Sequence, residues 1–141
     1  MKSFVLAFAL MVTSMGWAAA EQARDVSMVQ LIADPARYNG QAIRVIGYLH
    51  LQFEGDALYL HQEDFRRAII QNSIAISLTE AQRRAATKLN KAYVLVEGRF
   101  RAGEEGHLGL WQGTVHDVDR LSAWTVDRTR PARPGKYKAA P

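Results

Sequence analysis

From Gln41 to Phe53 the sequence alternates: Ile43, Val45, Leu49, Leu51 and Phe53 fall on odd positions, and Arg44, Tyr48, His50 and Gln52 on even ones. A period of two sustained over that length predicts a long strand with one buried face. Gly47, which interrupts it, marks where the strand can bend sharply. Lys91 to Arg101 repeats the pattern, with Ala92, Val94, Val96 and Phe100 facing inward and Gly98 in the bending position. A chain built on two long, bent, one-faced strands must close a sheet around them.

The segments around these strands supply the rest of a small barrel. Asp25 to Ala33 has apolar residues at mixed helical spacing and stops before Asp34-Pro35, which predicts a short amphipathic helix. Leu58 to His61 is a second strand. Gly55-Asp56 has glycine first, as a type II′ turn requires, and a two-residue turn there pairs residues whose numbers sum to 111. That register sets Phe53 against Leu58 and Leu51 against Leu60 on the inner face. Glu63 to Gln71 is irregular or briefly helical, and Ser73 to Leu78 alternates as a third strand. Thr79-x-x-Gln82 has the form of a capping box and opens a helix over Glu80 to Leu89. The fifth strand falls between His107 and Trp124, with Leu108, Leu110, Val115, Val118 and Leu121 as core candidates.

Mainly β, with five strands, a helix between strands three and four and a short N-terminal helix, is the element order of the oligonucleotide/oligosaccharide-binding (OB) barrel. An SH3-like barrel is the alternative, in which the Thr79 to Leu89 helix would be an insertion.

Both ends of the chain read differently from this body. Met1-Lys2, the apolar run Phe4 to Val12 and Ala18-Ala19-Ala20 before Glu21 have the form of a secretory signal, residues 1–20, cut after Ala20. The run is shorter than the roughly 20 residues that span a hydrocarbon core, so cleavage would leave no transmembrane segment. The expected location is periplasmic or secreted. The chain has no cysteine, which excludes a disulfide scaffold, a thiolate metal site and a cysteine nucleophile. From Arg128 to Pro141 the chain carries five basic residues, no acid and three of its four prolines, a composition that cannot bury enough to order itself. Residues 21–127 hold twelve Lys and Arg against fourteen Asp and Glu, a formal charge of −2. The +4 of the whole chain therefore belongs to its ends, and the tail could make weak contact with an anionic surface.

The strings GYLHLQFEGDALYLHQED and GHLGLWQGTV resemble small exported bacterial OB-fold-like proteins of uncharacterised function. The resemblance covers Val26 to Trp124 and implies export and the barrel fold. It rests on strand and turn residues, and so implies no activity.

Candidate site residues follow from the 111 register, which places Tyr48 opposite Glu63, His50 opposite His61 and Gln52 opposite Tyr59 on the outer face. Directly opposed Cβ atoms lie about 4.5 to 5.5 Å apart, close enough for two imidazoles to share a divalent metal with Glu63 or Asp64 as oxygen ligand. Without metal, such a pair would still sense pH, because neighbouring imidazoliums repel. His107 sits in a glycine-rich loop beside Glu104 and Glu105, and His116 lies at an acidic strand end with Asp117 and Asp119. No serine nucleophile motif or phosphate-cradling glycine pattern is present.

These features support a non-catalytic exported binding module using Tyr48, His50, Tyr59, His61, Glu63, Glu104 and His107 toward a protein, peptide or envelope component, with no cofactor. The alternatives are a small metal-dependent hydrolase centred on His50, His61 and Glu63, and nucleic-acid binding by barrel and tail. Glu54, Asp56, Glu104 and Glu105 in the loops that OB barrels use for nucleic acid disfavour the last.

Overall fold

In the computed structural model, which describes residues 21–53, 55–105 and 109–125, the alternating run forms a strand paired along both edges. The elements are β1 (Arg24–Asp25), α1 (Met28–Ala33), β2 (Ala42–His50), β3 (Ala57–Tyr59), α2 (Gln62–Arg66), β4 (Ser73–Ile76), α3 (Glu80–Ala86), β5 (Ala92–Glu105) and β6 (Trp111–Ala123). Short 3-10 turns cover Pro35–Tyr38, Ile70–Asn72 and Thr87–Leu89. Strand β2 is antiparallel to β3 on one edge and to β5 on the other. The circuit continues from β3 to β4, from β4 to a parallel β6 and from β6 back to β5, which closes a five-stranded barrel. With α3 between the third and fourth barrel strands, this is an OB-like barrel. The expected signal, Met1 to Ala20, and the basic tail, Arg128 to Pro141, lie outside the described residues. Among the described residues no helix is long and apolar enough to cross a membrane.

The period-two pattern is the cause of the core. Ile43, Val45 and Leu49 of β2, Leu58 of β3, Ile74 and Ile76 of β4, Val94, Val96 and Phe100 of β5 and Val115 of β6 are all buried in one cluster. Met28 and Leu31 of α1 and Tyr38 pack into the same cluster. Capping boxes hold both longer helices at their first turns. Ser27 Oγ accepts from Gln30 N–H at 3.2 Å, and Thr79 Oγ1 accepts from Gln82 N–H at 3.2 Å. Gln82 also donates through Nε2 to the Val118 carbonyl at 2.7 Å, tying α3 to β6.

The hairpin register differs from the expected one. Tyr48 pairs with Tyr59, Leu49 with Leu58 and His50 with Ala57, so the numbers sum to 107 and the connection is the loop 51–56. The reason lies in what that loop bonds to. Asp56 Oδ1 accepts from Gln52 N–H at 3.0 Å, and Arg83 reaches across from α3 to Asp56 Oδ2 at 3.1 Å and to the Gln52 carbonyl at 3.0 Å. Leu51 N–H bonds to Asn90 Oδ1 at 2.9 Å. The loop is thus held by side chains from elsewhere, and a wide loop replaces the two-residue turn. A change of four in the sum preserves parity, so Leu49 and Leu58 still face inward. Phe53 does not: it is fully exposed, as Leu110 is in large part.

Both glycines at the predicted bends sit against backbone. A Cβ on Gly98 would lie 2.8 Å from the His116 carbonyl oxygen and 2.9 Å from Val115 Cγ1, where β6 bulges through Asp117 to Asp119. Asp117 adopts φ 47° in that bulge. Gly98→Ala should therefore destabilise the protein by about 1–3 kcal/mol, seen as a lower urea midpoint with an unchanged slope. An unchanged midpoint would show that the bulge can relax around a methyl group.

Candidate functional site

The outer face that carries Tyr48, His50 and Tyr59 is filled by the chain itself. After β3, α2 folds back over this face, and Phe65 lies 5.8 Å from the Tyr48 ring, 5.6 Å from Tyr59 and 4.2 Å from His50. Ala57 and Ala75 leave room beneath it, and Trp111 completes a second apolar cluster in which Tyr48 and Tyr59 are buried. Trp111 Nε1 donates to Ser73 Oγ at 2.9 Å, and that hydroxyl donates to the Ile70 carbonyl at 2.6 Å. The helix is pinned through Asp64, whose carboxylate accepts from His61 N–H at 2.9 Å and from Asn72 Nδ2 at 2.8 Å. Gln62 adds bonds from its backbone N–H to the Tyr93 hydroxyl and from its side chain to the Tyr48 hydroxyl. Burial pushes the Tyr59 phenol pKa up.

The cross-strand histidine pair is not formed, because the 107 register puts Ala57 opposite His50 and leaves His61 at the exposed start of α2. Glu63 points along the exposed side of that helix, ion-paired to Arg66 at 3.0 Å and Arg67 at 3.8 Å. Among the described residues, no three His, Asp or Glu side chains converge to hold a metal ion. His116 meets Asp117 at 2.9 Å beside a polar hollow of about 360 Å³ that Ser77, Thr79, Gln82 and Asp119 also line. His107 and the Glu104 side chain lie outside what is described. Of the acidic loop residues, Asp56 is taken up by Arg83 and Gln52, so its carboxylate serves the fold.

What remains open is the neighbouring face of the barrel, across β2 and β5. Cross-strand partners there form rungs. Arg44 faces Glu97, Ile46 faces Leu95 and Tyr48 faces Tyr93, and the Trp124 N–H bonds to the Tyr93 carbonyl at 2.8 Å. Two adjoining depressions of about 540 and 520 Å³ share Val26, Ser27, Ile46 and Trp124 as lining. Ile46, Tyr93 and Trp124 are 38%, 38% and 44% exposed, an unusual share for large apolar side chains placed side by side. The rung beside them is charged: Arg44 Nε bonds to Glu97 at 2.8 Å, Arg44 Nη1 to Asp25 at 3.2 Å and Arg120 Nη1 to Glu97 at 3.1 Å. Hydrogen bonding from Arg44 holds the Glu97 carboxyl below its usual pKa against the opposing effect of burial. Sequence reading missed this groove, because Ile46 interrupts the polar face of β2 alone and its exposed apolar neighbours, Tyr93 and Trp124, come from 47 and 78 residues away.

No protein family and no curated protein matches the chain in sequence. Among solved structures it is similar to a DUF3299 family protein from Pseudomonas aeruginosa PAO1, with 8% identity over 75% of this chain and 99% of that one, at a TM-score of 0.46. It is also similar to a chain of the S. pombe Stn1-Ten1 complex, with 15% identity over 74% of this chain and 79% of that one, at a TM-score of 0.41.

His50 gives this region a pH dependence of its own. Burial is the main cause that lowers its pKa, with the Lys91 charge adding to it and Asp56 and Gln52 opposing, and its Nδ1 is buried without a partner. The unfolded chain takes up a proton as pH falls through about 6.5, which the folded chain resists, so stability must fall with pH below that value. Acid loss tied to Glu97 begins lower, where the unfolded carboxyl takes up a proton near its ordinary value of 4.5, and continues down to the lowered folded value. The melting temperature of the native protein should drop between pH 7 and pH 5.5 by more than that of His50→Asn. Equal drops would assign the effect to other groups.

Proposed function

We propose that the protein is an exported, non-catalytic interaction module that binds a protein, peptide or envelope component through the groove on β2 and β5. The observation that carries this reading is the row Ile46, Tyr93 and Trp124, half-exposed and continuous, on a barrel whose neighbouring face is closed by Phe65. Exposed apolar surface costs a monomer solubility, and a groove walled by Val26 and Ser27 on one side and Trp124 on the other is a shape that a partner can fill. The cations beside it, Arg44 and Arg120, are both engaged by Glu97, which argues for apolar contact over phosphate recognition.

Export is supported by the leader: a short positive end, an apolar run and three alanines before Glu21. Expression of the full sequence in a bacterial host should yield an envelope form whose intact mass corresponds to a chain starting at Glu21. A chain retaining Met1 in the cytoplasm would overturn export.

Binding is tested by screening a library of extended apolar peptides against the purified protein, with the fluorescence of Trp124 as reporter. Ile46→Glu should weaken any peptide that binds by more than about tenfold, since it places a charge on the groove floor. Its melting temperature should stay near that of the native protein, because the side chain faces outward. Peptides that bind the native protein and the variant alike would show that the groove is not the surface used.

A further inference from the structure

Across this face four strands lie abreast, and the charged rung crosses all of them. Asp25 of β1 is the direct partner of Arg44 on β2, Arg44 of Glu97 on β5, and Glu97 of Arg120 on β6. The signs therefore run minus, plus, minus, plus. The inner two members satisfy each other, while the outer two, Asp25 and Arg120, have side chains 79% and 56% exposed. The apolar rungs next to this ladder have a matching asymmetry: the Val26–Ser27 wall stands on the Asp25 side and the indole of Trp124 on the Arg120 side.

We infer that the groove receives a second copy of this chain, the two related by a twofold axis that runs along the strands between β2 and β5. This rests on the reading of the groove as the binding surface and names its occupant. A rotation about that axis reverses the order of strands and leaves the position along them unchanged. Read backwards, the ladder is plus, minus, plus, minus, so every charge meets its opposite: Asp25 meets Arg120 of the partner copy, and Arg44 meets Glu97. The same operation lays Ile46 against Leu95 and brings Trp124 toward the Val26–Ser27 wall of the partner copy. One symmetry operation thus satisfies the charges and sets the projecting indole against the opposite wall, which is the self-complementarity an isologous interface demands. An anionic lipid or nucleic acid would have to displace Asp25 and Glu97 from Arg44 to be recognised, whereas a copy of the same ladder leaves those ion pairs in place.

The test is sedimentation velocity of the purified protein, tail included, over a wide concentration range. The native protein should sediment as a dimer that dissociates on dilution. Asp25→Arg and Arg120→Asp should each weaken association by more than about tenfold, since each sets like charges against one another at both ends of the ladder. An equal mixture of the two variants should associate as tightly as the native protein, because Arg at 25 in one chain then meets Asp at 120 in the other. That rescue cannot come from a folding defect in either variant. A monomer at every concentration, or a mixture no tighter than its components, would overturn the inference. A monomer whose peptide binding is lost on Ile46→Glu would overturn the dimer alone and leave the interaction module standing. A monomer with no peptide binding would overturn both.

Discussion

Strand β2 is paired on both edges, and that constraint determines which surfaces of the barrel are open. On one edge it holds β1 at Ile43 and Arg44 and β3 at Tyr48 to His50, and on the other β5 along nearly its whole length. No free edge of β2 is left to add a further strand along these stretches, so any contact of β2 with a partner would have to use its outward face. That face grades along the strand from Arg44 through Ile46 to Tyr48 and His50. The far end lies under Phe65, the near end is neutralised by two carboxylates, and Ile46 between them is left half in water. A helix of only five residues covers two positions of the strand and no more, which is why the groove begins where α2 stops.

How much of this was legible in the sequence depends on the range of the interactions involved. The strands, the α3 capping box and the closed barrel follow from periodicity and spacing, and the inward set of β2 is the one that alternation predicts, Phe53 apart. The hairpin register is different in kind. Parity allows sums of 107 and 111 alike, and the choice between them is made by Asp56 with Arg83 and by Leu51 with Asn90, contacts 27 and 39 residues apart. No local rule sees those. Phe65 was missed for a related reason: one aromatic residue in a short polar helix produces no period, yet it closes the face on which the sequence placed its candidate site. The expected pairing of His50 with His61 fails with the register, and Tyr48 and Tyr59, expected opposite Glu63 and Gln52, instead pair with each other and are buried.

Closure of the barrel sets a second demand, which the bulge opposite Gly98 meets. Strand β6 must pair with β5 along much of its length and also run parallel to β4, and it does both by carrying extra residues at Asp117 to Asp119. The local strain, a positive φ at Asp117, is accompanied by a bond from α3 to the adjacent Val118 carbonyl. Glycine suits position 98 because a β-carbon there would lie inside van der Waals distance of the bulged backbone. The same bulge shifts the pairing so that Arg120, and not a neighbour, is brought level with Glu97. Closure and the charged rung are therefore two consequences of one irregularity.

That rung would let the proposed binding groove discriminate while carrying little charge. Arg44 lies between Asp25 and Glu97, and Glu97 between Arg44 and Arg120, so the rung sums to zero. A face without net charge exerts little long-range pull, and the basic excess of the whole chain lies in residues 1–20 and 128–141, outside the described residues. Selectivity must then come from the order of the charges at contact distance, where a misaligned partner sets like against like and an aligned one does not. Exposed apolar area from Ile46, Tyr93 and Trp124 would supply attraction that is indifferent to direction, and the ladder would supply direction with little attraction of its own. Neither would specify a partner alone; placed on consecutive rungs of the same strands, they would together fix both where the proposed partner sits and which way it runs.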